Sequence, residues 1–302
     1  MVGSAVSCRS PQMLGLIQEQ VVDQTKLAEQ RKRFAALMAS APGVNDPRVG
    51  QAFASVPRED FVGRGPWRVL TSNGYVDTPS ADPALLYQDA VVALVPEKRI
   101  NNGQPSLHAR CLSAAHVRPG DQVLHIGCGS GYYTAILSEL VTDTGAIVAW
   151  DIEPTLVVAA DHNLRRWSNV TVALRSGISP PIPRCDVIYV NAGCTKPLKI
   201  WVDALVEGGR LVFPLTPGWD FGGMLRVTRR GDGYEAEFIC RCSFIPCHGD
   251  SDTAMEERLR HAFSRGGAEQ VSSLHFGVRA PDTGLWFAGE GWWLSSAPAT
   301  RQ

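Results

Sequence analysis

The chain has 302 residues, 44% hydrophobic and 20% charged, with 29 basic against 30 acidic side chains and a formal net charge of −1. That balance excludes general disorder, and the lack of any Lys/Arg run argues against nucleic acid as a partner. Its apolar runs, such as 90–95 and 146–150, are too short to span a bilayer, and no basic segment followed by an apolar core opens the sequence. A cytoplasmic protein with no membrane partner is expected.

Residues 11–40 read as a helix, because Leu14, Ile17, Val21, Leu27, Phe34 and Met38 recur at helical spacing before Ala41-Pro42-Gly43 breaks the run. Its apolar stripe offers a surface to a second copy, so a homodimer through this helix is an expectation. Residues 43–110 are rich in Pro and Gly, with short helices expected near 47–54 and 84–95. From Gln122 the pattern alternates. Strands are expected at 122–126, 147–151, 170–174, 186–190 and 210–213, and helices at 132–140, 156–167 and 198–206. Strands and helices in this alternation predict a doubly wound, Rossmann-like parallel α/β sheet covered on both faces.

Beyond Pro217 the runs 224–228 and 234–242 flank a turn at 229–233 and read as a hairpin. A helix is expected at 255–263. A second hairpin, 285–287 with 292–294, closes around Gly289-Glu290-Gly291, and Trp286, Trp292 and Trp293 read as a packed flap. The expected organisation is an N-terminal helical extension (1–45), an α/β domain (46–248) and a C-terminal α+β extension (249–302). Among the eight cysteines, Cys240, Cys242, Cys247 and His248 cluster. Zinc ligands favour C-x2-C spacing, whereas C-x-C on an alternating strand sends both thiols to one face. Reduced, buried thiols and no metal are expected.

The informative segment runs from His125 through Gly127-Cys128-Gly129-Ser130-Gly131 to Tyr132. Glycines at alternate positions after a strand let the backbone turn tightly and approach a ligand. The dinucleotide fingerprint requires a third glycine where Tyr132 stands, so the pattern is G-x-G-x-G. Asp151 ends the next strand, where a carboxylate accepts hydrogen bonds from ribose hydroxyls. Loop and acid together point to a nucleoside ligand without a pyrophosphate. S-adenosyl-L-methionine fits that description.

The central region resembles class I S-adenosylmethionine-dependent methyltransferases, and more narrowly the protein-L-isoaspartate O-methyltransferases. The resemblance rests on Val56-Pro57-Arg58-Glu59-Asp60-Phe61-Val62, on Gln104-Pro105-Ser106-Leu107-His108-Ala109, and on residues 123–135 against the V-L-x-I-G-x-G-S-G-Y-x-x-A signature. It continues in Gly208-Gly209-Arg210-Leu211-Val212-Phe213-Pro214 and Phe244-Ile245-Pro246, and covers about residues 30–248. It implies that the Gly127–Tyr132 loop lines the methionine and ribose, that Asp151 holds the ribose beside Ile152, and that Asn191 faces cofactor or substrate. Ser176-Gly177 stands where the family has Asp-Gly at the adenine. The family's segment T-I-S-x-P-x-M-x-A places its Ser at Gly103, and a glycine offers no hydroxyl.

A carboxylate acceptor is ionised at pH 7 and needs donors, not a base. Asn101, Asn102, Gln104, Ser106 and His108 supply donors in this segment, with Asn102, Gln104 and His108 the catalytic candidates. An amine or phenol would need deprotonation, for which His108 alone is suited here. Trp67 and Tyr75 read as acceptor cover or as core, and His125 as a core histidine. The expected chemistry is O-methylation of a carboxylate in a peptide, a protein or a small acid. The alternatives are N- or O-methylation of a specialised metabolite, and a degenerate homologue that only binds cofactor.

Overall fold

The alternation of buried strands and amphipathic helices resolves, in a computed structural model describing residues 24–249, 252–278 and 284–299, into a single wide sheet with helices on both faces. Helices α1 (Gln24–Ala39) and α2 (Pro47–Ser55) lead into two short antiparallel ribbons, β1 (Arg68–Thr71) with β2 (Gly74–Asp77) and β3 (Ala93–Val95) with β4 (Ile100–Asn101). After α3 (Pro105–Ala114) come β5 (Gln122–Ile126), α4 (Tyr132–Val141), β6 (Ala146–Asp151), α5 (Pro154–Asn163), β7 (Val170–Leu174), β8 (Cys185–Val190), α6 (Lys199–Ala204) and β9 (Leu205–Leu215). The chain ends with β10 (Gly222–Arg230), β11 (Gly233–Cys242), α7 (Thr253–Arg265), β12 (Ser273–Phe276), β13 (Leu285–Ala288) and β14 (Trp292–Ser295).

The main sheet has ten strands in the order β13-β14-β12-β11-β10-β9-β8-β5-β6-β7. Strands β7, β6, β5, β8 and β9 are parallel, and every pairing from β9–β10 outward is antiparallel. Strand order reverses between β5 and β8, the place where ligands of such sheets settle, beyond the carboxyl ends. One face carries α1 to α4 over Val123, Tyr189 and Val212; the other carries α6 and α7 over Leu124, Ile188 and Phe213. The extension's β12, β14 and β13 prolong this sheet, and Trp286, Trp292 and Leu294 share a core with Leu259 of α7. Trp293 stacks on His275 at 4.9 Å, so the expected flap is a packed one.

Several expected boundaries move for identifiable reasons. Residues 84–95 do not form a helix: Pro83–Leu86 is one 3-10 turn, because Arg58 takes the carbonyls of Leu86, Gln88 and Ala90 that a helix would need. The helix expected over 156–167 ends at Asn163, where Leu164 turns in against Gly131. The helix expected over 198–206 stops at Ala204, since Leu205 already pairs with Cys185 and Gly208-Gly209 falls inside β9. Leu14, Ile17 and Val21 lie outside the described residues. The remaining stripe of α1, Leu27, Phe34 and Met38, is buried in this chain's own core, with Phe34 edge-on to Phe53 at 5.9 Å. The apolar stripe of that stretch is therefore taken up by this chain's own core. Among the described residues, no helix is long and apolar enough to cross a membrane.

Candidate active site

The glycine loop leaves the end of β5 with Gly127, Gly129 and Gly131 all at positive φ (74°, 56° and 97°), a conformation that favours glycine. A Cβ on Gly127 would reach 3.4 Å from the Asn191 carbonyl, and one on Gly131 would strike Leu164 at 2.8 Å. The three therefore differ in role. Gly127 and Gly129 are half-exposed on the rim, whereas Gly131 is buried and starts α4.

Asp151 ends β6 with its carboxylate between two backbone donors, Gly129 N to Oδ2 at 2.7 Å and Glu153 N to Oδ1 at 2.9 Å. Burial raises its pKa, opposed by those two N–H groups and that of Ile152. Ile152 is 50% exposed, an open apolar surface next to the carboxylate. Asn191 follows β8; its Nδ2 donates to His125 Nε2 at 2.8 Å, and His125 Nδ1–H donates to Thr134 Oγ1 at 2.8 Å. Burial pushes His125 down to about 3, so this relay is neutral, as a core histidine should be. The Asn191 Oδ1 is buried without a partner beside Gly127. An unpaired acceptor, a backbone cradle a Cβ would narrow, a carboxylate and an open apolar side chain fit a nucleoside carrying a cationic amino-acid chain.

The remaining loop residues face inward. The ring of Tyr132, a residue expected at the cofactor, lies in the core against Phe53 and Phe61 at 6.1 and 5.6 Å. Cys128 and Ser130 are buried, and burial together with the Asp151 charge pushes the Cys128 thiol well up. Ser176 is half-buried at the rim. Gly177 is a packing position: Trp201 Nε1 donates to its carbonyl at 2.8 Å, and a Cβ would meet Ile126 at 2.3 Å.

The acceptor-side segment sits across the loop. Leu94 Cδ1 lies 3.5 Å from where a Gly129 Cβ would be, and Lys98 pairs with Glu153, the ammonium holding that carboxyl below its usual range. Asn102 is pinned to Val92 by two hydrogen bonds, its N to Val92 O at 2.9 Å and Val92 N to its Oδ1 at 2.8 Å. Its Nδ2 is consequently fixed, buried and without a partner. Gln104 is exposed and donates to Asp89 Oδ2 at 2.8 Å, in a cluster where Asp89 also accepts from Ser106 N and Oγ at the start of α3. Asp89 thereby caps α3, and the Gln104 side chain, expected in a catalytic role, is tied to that cap. His108 is 1% exposed, stacked on Tyr133 at 3.7 Å and bonded through Nδ1 to the Tyr189 hydroxyl at 2.8 Å. Burial pushes it down to about 3, so it is held neutral and is a poor base for the amine or phenol acceptor that would have needed one. Trp67 is core, whereas Tyr75 is 37% exposed. Cys240 and Cys242 pack in the same core as Cys111 of α3.

Sequence reasoning missed what holds this segment. Arg58 is fully buried and binds three carbonyls, while Glu59 binds Arg31 at 2.9 Å and the Tyr87 hydroxyl. Their place in a recurring motif was the available signal; their partners, some 30 residues away, left none.

The family model for protein-L-isoaspartate(D-aspartate) O-methyltransferase matches residues 31–252. The chain belongs to that family. It is an S-adenosylmethionine-dependent methyltransferase. A Rhodopseudomonas palustris protein-L-isoaspartate O-methyltransferase 2 is 31% identical over 68% of this chain and 86% of its own. Among solved structures, a protein-L-isoaspartate O-methyltransferase superposes with TM-score 0.62 at 23% identity, covering 82% of the methyltransferase and 74% of that chain. A Plasmodium falciparum beta-aspartate methyltransferase, solved with S-adenosyl-L-homocysteine, gives 0.57 at 17% identity over 72% of this chain and 97% of its own. These two likenesses speak to the fold.

Proposed function

We propose that this methyltransferase esterifies the free carboxylate of isoaspartyl residues in peptides or proteins, with Asn102 as the donor that holds the acceptor. The observation that carries this reading is an orphaned donor in residues 100–108, a segment whose one imidazole, His108, is buried. An amine or phenol must lose a proton before it attacks a sulfonium methyl, and His108 is neutral, buried and pushed to about 3. A carboxylate is already ionised, and it supplies the acceptor that Asn102 Nδ2 lacks.

Asp151 would hold the ribose hydroxyls, Ile152 would lie along the adenine, and Gly127 with Asn191 would line the amino-acid end of S-adenosylmethionine. The cofactor supplies an electrophilic methyl group. The protein positions the carboxylate oxygen in line with it and excludes water, tasks of orientation more than of proton transfer. Release of S-adenosylhomocysteine should depend on an isoaspartyl peptide and not on its aspartyl isomer. In Asn102→Ala it should fall by about 10- to 100-fold in kcat/KM, with cofactor affinity retained. Equal turnover on both isomers, or full activity in Asn102→Ala, would sink the reading.

A further inference from the structure

Two large aromatic side chains stand exposed on the rim of the site. Trp219 and Phe221, 55% and 58% exposed, project from the 216–221 loop at the carboxyl end of β9. Thr216 N donates to Cys194 O at 2.9 Å, which sets the loop beside the segment following Asn191. Each aromatic carries an exposed guanidinium. Arg99 Cζ is 5.6 Å from the Trp219 ring centroid, and Arg241 Cζ is 4.5 Å from that of Phe221. Among the described residues, neither arginine has a carboxylate partner. Arg99 lies three residues before Asn102.

The acidic groups nearby are mostly satisfied. Asp220, between the two aromatics, is bound by Arg260 of α7 at 2.6 Å, Glu153 is bound by Lys98, and Glu97 alone on these segments is unpaired. The surface facing outward is therefore aromatic and cationic. The loop is also fixed from behind. Besides Arg260, Glu256 of α7 backs Gly218, where a Cβ would lie 2.9 Å from Oε2, and Ser243 Oγ donates to Trp219 O at 3.0 Å. Both α7 contacts come from the C-terminal extension.

We infer that the 216–221 loop, braced by the extension, is the docking platform for a polypeptide acceptor, and that Arg99 and Arg241 select acidic residues flanking the methylated carboxylate. The inference rests on the carboxylate-acceptor reading above and adds a sequence preference to it. A flat aromatic surface suits an extended peptide, and a guanidinium already stacked on a ring presents its N–H edge to a carboxylate with little entropy left to lose.

The test uses isoaspartyl dodecapeptides identical except for flanking Glu, Ser or Lys, each also made with a fluorescent label. Turnover is followed by S-adenosylhomocysteine release and binding by anisotropy, at low salt, for the wild-type chain, for Arg99→Glu/Arg241→Glu and for Asp220→Ala. Wild type should show a KM about fivefold lower for Glu than for Lys flanks. The charge-reversed variant should invert that order at unchanged kcat and cofactor affinity. Asp220→Ala should raise KM for every peptide. Equal KM values across the flanks, or an order untouched by charge reversal, would overturn the docking inference while leaving the acceptor reading intact. If no peptide turns over, the acceptor reading fails, and anisotropy decides docking by itself: binding independent of the flanks rejects it.

Discussion

Gly103 stands where the family resemblance places a serine, and introducing that serine should harm this protein. The backbone at Gly103 has φ +71°, and a Cβ there would sit 2.3 Å from His108 Nε2 and 2.9 Å from its Cδ2. The imidazole has nowhere to retreat, because it is stacked on Tyr133, bonded to Tyr189 and closed over by Phe244. Left-handed backbone at a residue other than glycine costs about 1–3 kcal/mol, and overpacking a buried ring about 1–3 kcal/mol more. Gly103→Ser should therefore lose about 2–6 kcal/mol in urea unfolding, with isoaspartyl turnover lowered and not raised. Adding His108→Ala should relieve the overlap, leaving the double variant at least about 1 kcal/mol more stable than the sum of the single effects. A Gly103→Ser protein as stable as wild type and equally or more active would refute the claim that His108 fills the serine's place.

Other consequences are equally direct. Asp151→Asn should weaken S-adenosylmethionine binding by about 10- to 100-fold in calorimetry while the fold persists; unaltered affinity would remove Asp151 from the ribose. Arg58→Leu leaves the carbonyls of Leu86, Gln88 and Ala90 unpaired in the interior and should cost about 3–5 kcal/mol, read as a lower denaturation midpoint. His108 and His125 are both held near 3 by burial, whereas the unfolded chain's histidines take up protons below about 6.5. Between these values the unfolded state binds more protons. Stability is thus complete above about pH 6.5 and falls as pH drops toward 3, by up to about 1.4 kcal/mol per pH unit per histidine. Removing His125 by substitution to Gln should flatten that slope by about half.

What could be read from residues alone follows the range over which each signal acts. The parallel strands around β5 and the place of Asp151 are written locally, in hydrophobic runs, glycines and a spacing of 20 residues. The segment between α2 and α3 is not. Its course depends on Arg58 reaching Leu86, Gln88 and Ala90, on Asp89 capping a helix that begins 16 residues later, and on Asn102 clasping Val92. None of these pairs has a period, and all are made by side chains folding back on backbone. The same limit applies to the candidate donors. Asn102, Gln104 and His108 stand within seven residues, and their types alone made them equivalent. Only their surroundings separate an orphaned amide from one tied to a carboxylate and from a buried ring.

The continuity of the sheet past β11 sets a limit on how small this enzyme can be made. Strand β12 takes the hydrogen bonds of Tyr234 and Glu235, and Phe238 packs edge-on against Phe263 and Trp286 at 5.4 and 5.2 Å. A chain cut where the family match ends, at residue 252, would carry every signature motif yet bare a flat strand flank beside uncovered aromatic rings. Such a flank is a template for strands of other molecules. The shortest version of this protein that looks complete by its motifs would be one that self-associates.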